Sequence, residues 1–315
     1  MKHFLKETDF SREEAKEAFL LATAYKQGRG RDTAPFLRDQ TWGLLFYKHS
    51  TRTRVSFEVG VAELGGRTVY LDQHAMQIGR GESLHDTAKV LSRYLGGLVI
   101  RTFGQEIVEE IAEHASIPVV NGLTDLLHPC QIYSDALTIV EKLGDPANPF
   151  ESLAGKKLAF LGDTSCNMAN SWILGGAMLG MEISLGGPSD HQPGPEARAL
   201  LEQDGLPDTF SFTTDASEAV ADADVVYTDV WVSMGCEQEE EARLTKMRPY
   251  AVTSDLLAQA KPEALFMHCM PTHPGLEVSQ DVLDSPQSVI FDQAENRLHA
   301  QKAIVTLLAR SASES

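Results

Sequence analysis

The chain contains few cysteines and no long apolar run. These two features argue against a disulfide-stabilised scaffold and against a membrane-spanning protein. Among its 315 residues there are four cysteines, with no CxxC pair and too low a density for a disulfide scaffold: Cys130, Cys166, Cys236 and Cys269. No apolar stretch reaches the roughly 18 residues that a membrane span needs. The first residues also lack the apolar core of a secretory signal. We therefore expect a soluble, cytoplasmic protein without a membrane partner.

Basic residues are scarce relative to acidic ones. The chain has 27 Lys and Arg against 45 Asp and Glu, which gives a formal net charge of −18. Such a charge repels nucleic acid and anionic membranes at long range, so neither is an expected partner. Any anion site must therefore depend on a local concentration of arginines. Hydrophobic residues make up 43% of the chain and charged residues 23%, which is typical of a globular protein.

Two common nucleotide-binding signatures are also missing. The chain has neither the Walker loop that ends in Gly-Lys-Ser/Thr nor the GxGxxG fingerprint of dinucleotide-binding folds. The second absence argues against a nicotinamide-dependent dehydrogenase, which is the alternative from another enzyme class for a doubly wound fold.

What the chain does contain is an alternation of short apolar strands and helices. Strands are predicted at 44–47, 68–71, 98–100, 157–161, 181–185, 225–227 and 265–267, and helices from Ser11, at 55–64, 83–95, 167–179 and 294–310. This order is typical of α/β proteins with mostly parallel sheets. Two prolines and a glycine at 144–149 indicate a junction. We expect two doubly wound domains, 1–146 and 147–293, with a binding cleft between them, and a final helix over 294–315.

The strongest site signal is the run Ser50-Thr51-Arg52-Thr53-Arg54, which lies between a predicted strand and a predicted helix. Hydroxyls and guanidinium groups at a helix N-terminus provide hydrogen-bond donors and positive charge at one point. This combination favours binding of a phosphate dianion. The alternative is a capped helix with exposed arginines.

Three further residues of the first half lie where ligands of open α/β sheets bind. Arg101 follows a strand directly, and His128 and Gln131 open another helix three residues apart. His128 and Gln131, each taken alone, are as compatible with a structural role as with a functional one. Together with the hydroxyl-rich turn, they suggest a small ligand that carries both a phosphate and a carbonyl group.

In the second half, polar residues again follow buried strands. Asp229, with Ser233 and Gly235 nearby, is a candidate for binding an ammonium group. His268, Cys269 and His273 allow a zinc site, but they lack paired spacing and a fourth ligand. Cys269 as a covalent nucleophile is another alternative, for which no base is identifiable.

Taken in order, these motifs resemble those of the aspartate/ornithine carbamoyltransferases. The matching elements are Ser50-Thr51-Arg52-Thr53-Arg54, Arg101-Thr102-Phe103, His128-Pro129-Cys130-Gln131, Asp229-x-x-x-Ser233-Met234-Gly235 and His268-Cys269-Met270-Pro271. The resemblance runs essentially from end to end, and the Ser233-Met234-Gly235 element is of the ornithine type. It implies two α/β domains, a last helix that returns to the first domain, and trimers or multiples of trimers with sites between subunits.

The resemblance also implies a reaction. The carbamoyl group of carbamoyl phosphate would pass to the side-chain amine of L-ornithine, giving L-citrulline and phosphate. No metal or organic cofactor is expected, because the phosphate ester itself activates the carbonyl group.

Site residues follow from the resemblance position by position. It implies carbamoyl phosphate binding by Ser50, Thr51, Arg52, Thr53, Gln77, Arg101, His128, Gln131 and Arg297. It implies ornithine binding by Asn167, Asp229, Ser233 and Met234. The residues it assigns to the reacting atoms are Arg101, His128, Asp229, Cys269 and Met270. Spacing alone leaves open the alternative interpretation of Arg297 as a solvated helix charge.

Two positions on the acceptor side depart from the family's common pattern. The family commonly has Leu at the position of Met270 and Asn at the position of Cys166. Within the family, the alternative acceptors are putrescine, an acylated ornithine or aspartate, against which Ser233-Met234-Gly235 argues. A non-catalytic relative that binds these ligands is a further alternative, and the retention of the expected site residues argues against it.

Overall fold

In the computed structural model, which describes residues 1–29, 35–72, 81–231 and 240–314, the chain divides into two units. The first comprises Met1–Leu137 together with Glu295–Ser315, and the second comprises Thr138–Ala294. The last helix therefore contributes to the first unit, as expected. The domain limits expected from the sequence, 1–146, 147–293 and 294–315, stay a prediction.

The first part of the chain alternates helices and strands around a four-stranded sheet. Its elements are α1 (Arg12–Gln27), β1 (Thr41–Phe46), α2 (Thr51–Glu63), β2 (Arg67–Asp72), α3 (Leu84–Leu91), β3 (Gly97–Arg101), α4 (Gln105–His114), β4 (Val119–Leu123) and α5 (Pro129–Leu143). All strand pairs are parallel, and the strand order is β2-β1-β3-β4.

The second part repeats this organisation around a five-stranded sheet. Its elements are α6 (Pro149–Leu153), β5 (Lys157–Leu161), α7 (Asn167–Leu179), β6 (Glu182–Gly186), α8 (Pro195–Gln203), β7 (Phe210–Thr213), α9 (Ala216–Val220), β8 (Val225–Thr228), α10 (Glu240–Met247), α11 (Ser254–Leu257), β9 (Leu265–His268), α12 (Gln280–Leu283) and α13 (Ile290–Glu314). The strands are again all parallel, in the order β7-β6-β5-β8-β9. Two parallel α/β sheets confirm the expected fold class.

The central strands are apolar on both faces because helices cover both sides of each sheet. Every residue of β3 and of β8 is buried. One core of the first unit packs Leu45, Leu98 and Ile100 against Val108 and Ile111 of α4. Burial on both faces explains why these strands read as continuous apolar runs in the sequence rather than as alternating ones.

Several element bounds differ from the sequence prediction, and local caps explain the main difference. Helix α2 begins at Thr51 rather than at 55, because Ser50 is its N-cap and accepts a hydrogen bond from the Thr53 N–H at 3.3 Å. Helix α13 starts at Ile290 rather than at 294 and ends at Glu314 rather than at 310. Among helices of the described residues, none has the length and apolarity needed to cross a membrane.

Candidate active site

The hydroxyl-rich turn predicted from the sequence forms the N-terminus of α2. Ser50 Oγ donates a hydrogen bond to Thr53 Oγ1 at 3.1 Å in addition to capping the helix. Thr53 is fully buried, whereas Thr51 and Arg52 are exposed. The turn therefore presents backbone N–H groups, hydroxyls and a guanidinium where the helix dipole favours an anion.

Arg297 of α13 reaches the same turn from the other end of the chain. Its Nη2 donates a hydrogen bond of 2.6 Å to Thr53 Oγ1, although the two residues are 244 positions apart. Arg297 is only 4% exposed. The interpretation of Arg297 as a solvated helix charge is therefore wrong, because the side chain is buried beside the turn.

Arg101 and His128 belong to the same half of the site. Arg101 is the last residue of β3 and is paired in register with Phe46, the last residue of β1. It therefore lies at the carboxyl ends of the strands, where the Ser50 turn begins. Burial, together with the positive charges of Arg297 and Arg101, holds the pKa of His128 well below its ordinary value. His128 is therefore neutral at pH 7 and can donate a hydrogen bond without adding to the positive charge.

Gln131 lies in the first turn of α5, where its amide group is held by an acid that no sequence motif marks. Gln131 Nε2 donates to Asp135 Oδ1 at 2.7 Å, and both residues are fully buried. This bond leaves Oε1 as the acceptor, and among the described residues nothing donates to it. Neighbouring Cys130 is inert, because burial raises the pKa of its thiol to about 12.

In the second unit, Asp229 and Cys269 meet at the carboxyl ends of neighbouring strands. Asp229 follows β8, Cys269 follows β9, and Cys269 Sγ donates to Asp229 Oδ1 at 3.0 Å. Burial raises the pKa of Asp229, and the nearby His268, the Cys269 thiol and the Val230 N–H partly oppose this effect. The pair is thus a carboxyl group and a thiol in direct contact.

His268 holds the backbone that follows Cys269. The Met270 N–H donates to His268 Nδ1 at 2.8 Å, so a ring proton lies on Nε2. That nitrogen lies 3.4 Å from Oε1 of Glu277, which is 1% exposed. Met270 has a φ of 62°, an unusual value for a side chain of this size. The imidazole therefore supports a strained backbone at an expected site residue.

Glu277 is a second residue that sequence reasoning missed. It accepts a hydrogen bond from the His273 N–H at 2.5 Å and lies against His268. No motif marks a glutamate at this distance from His268, and only the folding of the loop after β9 brings the two together. Its position was therefore not accessible from sequence spacing.

Asn167, the remaining described residue of the acceptor half, is the first residue of α7. Cys166 is the N-cap and makes no side-chain cap bond, and burial raises the pKa of its thiol, with further increases from Asp163 and Asp229. The preceding loop is held by an ion pair between Asp163 and Arg243, whose Nε also donates to the Trp231 carbonyl. The start of α7 is thus fixed beside Asp229.

The metal alternative takes a different form from the one predicted. Asp229, His268 and Cys269 offer ligand atoms within 4.8 Å of one another, whereas His273 is not part of this group. However, His268 Nδ1 already accepts the Met270 N–H, and Nε2 faces Glu277. A metal ion would have to displace one of these partners, so the arrangement fits a positioning role for His268 better than a ligand role.

Three expected site residues, Gln77, Ser233 and Met234, lie outside the described residues. Of the others, the structure brings Ser50, Thr53 and Arg297 into one hydrogen-bonded group. It brings Asp229 and Cys269 into another.

Two family models match the chain. The carbamoyl-P binding domain of the aspartate/ornithine carbamoyltransferases matches residues 2–141, and their Asp/Orn binding domain matches residues 154–308. Among curated relatives, an ornithine carbamoyltransferase of Methanoculleus marisnigri is 46% identical over 308 residues, covering 98% of this chain and 96% of the relative. One of Bifidobacterium longum subsp. infantis is 47% identical over 317 residues, covering 99% and 96%.

Solved structures of ornithine carbamoyltransferases are similar to this chain as well. The ornithine carbamoyltransferase of Pyrococcus furiosus has a TM-score of 0.88 and 41% identity, covering 97% of this chain and 96% of its own. The anabolic ornithine carbamoyltransferase of Campylobacter jejuni also has a TM-score of 0.88, at 35% identity, with 99% and 100% covered. Because both family models and relatives of this identity span nearly the whole sequence, the chain belongs to the aspartate/ornithine carbamoyltransferase family.

Proposed function

We propose that this chain transfers the carbamoyl group of carbamoyl phosphate to the side-chain amine of L-ornithine, giving L-citrulline and phosphate. Relatives named ornithine carbamoyltransferase, at 46% and 47% identity over nearly the full length, support these substrates. The structural observation that carries the chemistry is the contact between Arg297 and Thr53. It joins a buried cation to a hydroxyl-rich helix N-terminus.

The first unit supplies the groups for the electrophile. Ser50, Thr51, Arg52 and Thr53 bind the phosphate, with Gln77 assigned to the same substrate. Arg101 and neutral His128 donate to the carbonyl oxygen, on which negative charge develops, and Gln131 orients the carbamoyl group. Arg297 stabilises the departing phosphate. Donors fixed before the reaction stabilise such charge without reorganisation, and each typically contributes about 3–4 kcal/mol.

The second unit supplies the groups for the acceptor. Asp229 binds an ammonium group of ornithine, with Asn167, Ser233 and Met234 at the amino-acid end, and Cys269 and Met270 line the place of the reacting amine. The neutral amine attacks the carbonyl carbon, the phosphate leaves with the electron pair of the broken C–O bond, and the proton lost by the nitrogen passes to the departing phosphate. Since a lysine-like amine has a pKa of about 10.4, forming its neutral form at pH 7 costs about 4–5 kcal/mol.

The direct test is a product assay with a panel of amines. Purified protein is incubated with carbamoyl phosphate and L-ornithine, putrescine, N-acetylornithine or L-aspartate, and the carbamoylated product is measured by mass spectrometry. We expect citrulline to form much faster than the other products. Faster carbamoylation of another amine, or no product at all, contradicts the proposal. Phosphate release is not a suitable readout, because carbamoyl phosphate decomposes unaided.

The phosphate turn is tested within the same assay. Arg52→Ala should abolish citrulline formation at moderate carbamoyl phosphate concentrations, because it removes the exposed guanidinium at the N-terminus of α2. The matched control is Arg198→Ala, which removes an exposed arginine that pairs with Asp208 in the other unit. Near-normal citrulline formation by Arg52→Ala would refute the assigned turn.

Family membership also supports a homotrimer, or a multiple of trimers, in the cytoplasm, with a role in arginine metabolism. Light scattering coupled to size exclusion measures the mass of the assembly, and a mass that is not a multiple of three chains contradicts the trimer. Imaging of a fluorescent fusion in the source cell tests the compartment.

A further inference from the structure

Lys302 is a lysine buried in the last helix, five residues after Arg297. Its side chain is 0% exposed. Its Nζ donates to Glu63 Oε2 at 2.7 Å and lies 4.7 Å from the centroid of the Tyr25 ring. Removing an ammonium group from water costs several kcal/mol even when it is paired, and an apolar side chain would avoid that cost. We therefore expect Lys302 to have a role other than packing.

Glu63, the partner of Lys302, is the last residue of α2. Burial alone would raise its pKa, but the hydrogen bonds and charges of Lys302 and Arg29 outweigh this effect and hold the pKa below its ordinary value. Arg29 Nε lies 3.0 Å from Glu63 Oε1. Glu63 is therefore ionised at neutral pH, and it forms a true ion pair with Lys302.

The same two helices meet at a second point. Thr53 in the first turn of α2 accepts the hydrogen bond from Arg297, while Glu63 at the end of α2 accepts the one from Lys302. Between them, Gly60 leaves room for the stem of Lys302, since a Cβ at Gly60 would lie 3.1 Å from Lys302 Cγ. Polar contacts therefore hold α13 against both ends of α2.

We propose that the Lys302–Glu63 ion pair fixes the register of α13 on α2 and thereby holds the Arg297 guanidinium at Thr53. Apolar side chains alone tolerate small shifts between packed helices, whereas an ion pair whose ammonium group is fully buried is satisfied in one register only. A misplacement of about 1 Å can lower a rate about a hundredfold. Lys302 and Glu63 are then positioning residues for carbamoyl phosphate, an inference that rests on the proposed function.

The test replaces the pair by apolar residues of similar volume, in the double variant Lys302→Met/Glu63→Met. Such replacements of buried ion pairs are often neutral for stability, so the variant should keep its denaturation midpoint. We expect the KM for carbamoyl phosphate to rise about tenfold, while the KM for ornithine changes less than twofold. The matched control is Arg310→Met/Glu17→Met, which removes an exposed ion pair, at 2.6 Å, involving the same helix.

A thermodynamic cycle separates positioning from a purely structural role. If the pair acts through Arg297, the double replacement should have no further effect on the KM for carbamoyl phosphate in an Arg297→Met background. An additive effect in that background would contradict the inference. Glu63→Gln, which keeps the side-chain volume, provides the same measurements if the double variant does not fold.

Affinity for inorganic phosphate, measured by calorimetry on the same variants, keeps the two proposals distinguishable. If the unmodified protein forms no citrulline, the proposed function fails, but a tenfold weaker phosphate affinity of the variants still supports the positioning role. If citrulline forms and a folded variant keeps both its KM and its phosphate affinity, the positioning role alone is overturned.

Discussion

At the scale of single residues, the environment decides the chemistry more than the residue type does. His128 and Cys130 are two positions apart, and both are buried. Burial beside two guanidinium groups keeps His128 neutral and able to donate a hydrogen bond, whereas burial raises the pKa of Cys130 to about 12 and removes it as a nucleophile. The same physical effect thus leaves one side chain available as a neutral hydrogen-bond donor and keeps the other protonated.

Thr53 offers a test of the anion site at this scale. Thr53→Val keeps the shape but removes the hydroxyl that accepts from Arg297 and Ser50. Leaving a buried charged donor without its acceptor costs roughly 1.5–3 kcal/mol, so kcat/KM for carbamoyl phosphate should fall about 10–200-fold. Thr53→Ser, which retains the hydroxyl, should stay within a few-fold of the unmodified protein. Equal losses in both variants would contradict the assigned contact.

His128 should also make stability depend on pH. Because its pKa is lowered in the folded state, the unfolded chain binds the extra proton once the pH falls below about 6.5, the ordinary value. Its contribution to stability is complete above that pH and is lost as the pH decreases, by at most about 1.4 kcal/mol per pH unit.

Denaturant unfolding between pH 7.5 and pH 5 measures this slope, and His128→Asn should flatten it. His3 and His299 also have lowered pKa values, mainly through burial, and both remain in the variant, so the difference between the two slopes isolates His128. Identical slopes would show that His128 is not buried in its neutral form.

At the scale of elements, the parallel strands gather the site residues. The carboxyl ends of β1 and β3 bring the Ser50 turn to the same edge as Arg101, and those of β8 and β9 bring Asp229 to Cys269. Ligands of open parallel sheets bind at such edges because the connecting loops and helix N-termini collect there. This arrangement follows from strand order, which the alternation in the sequence indicates only in part.

A substitution at Gly162, directly after β5, tests how closely the backbone approaches Trp231 at the carboxyl end of this strand. Its φ is 107°, and a Cβ there would lie 2.5 Å from Trp231 Nε1. Gly162→Ala should therefore destabilise the protein by roughly 2–4 kcal/mol, combining backbone strain with overpacking. Gly155→Ala is the matched control, because Gly155 has a φ of 73° but open space around it, and should cost only about 1–2 kcal/mol. Equal costs, measured by denaturant unfolding, would contradict the close approach to Trp231.

At the scale of the whole molecule, net charge and chain topology limit where the protein can bind an anion. A net charge of −18 disfavours anions in general, so phosphate binding must come from arginines that the fold concentrates locally. Arg101 and Arg297 both act on His128, although they are far apart in the sequence. The return of α13 to the first unit is what brings the second of these cations to the site.

The first unit should therefore depend on the end of the chain for its folding. Ala300, Ala303, Ile304, Val305 and Leu308 are at most 3% exposed. Burial of the three large side chains among them is worth roughly 5–9 kcal/mol, which is comparable to the whole stability of a typical domain.

A fragment of residues 1–137 should then show no cooperative unfolding. The same fragment joined to residues 295–315 through a flexible linker should regain it, as measured by circular dichroism during denaturation. Cooperative unfolding of the shorter fragment would contradict this expectation.

The sequence alone determined the α/β class, most of the strands, six of the thirteen helices in the described residues, and the two groups of motifs, because periodicity, caps and hydroxyl-rich turns are local properties of the chain. It also indicated the family through those motifs. Only the tertiary structure decided that Arg297 is buried at Thr53, that Glu277 faces His268, and that Lys302 pairs with Glu63. These contacts join residues that are distant in sequence or separated by an irregular loop, and they depend on helix docking and loop folding, which no local pattern encodes.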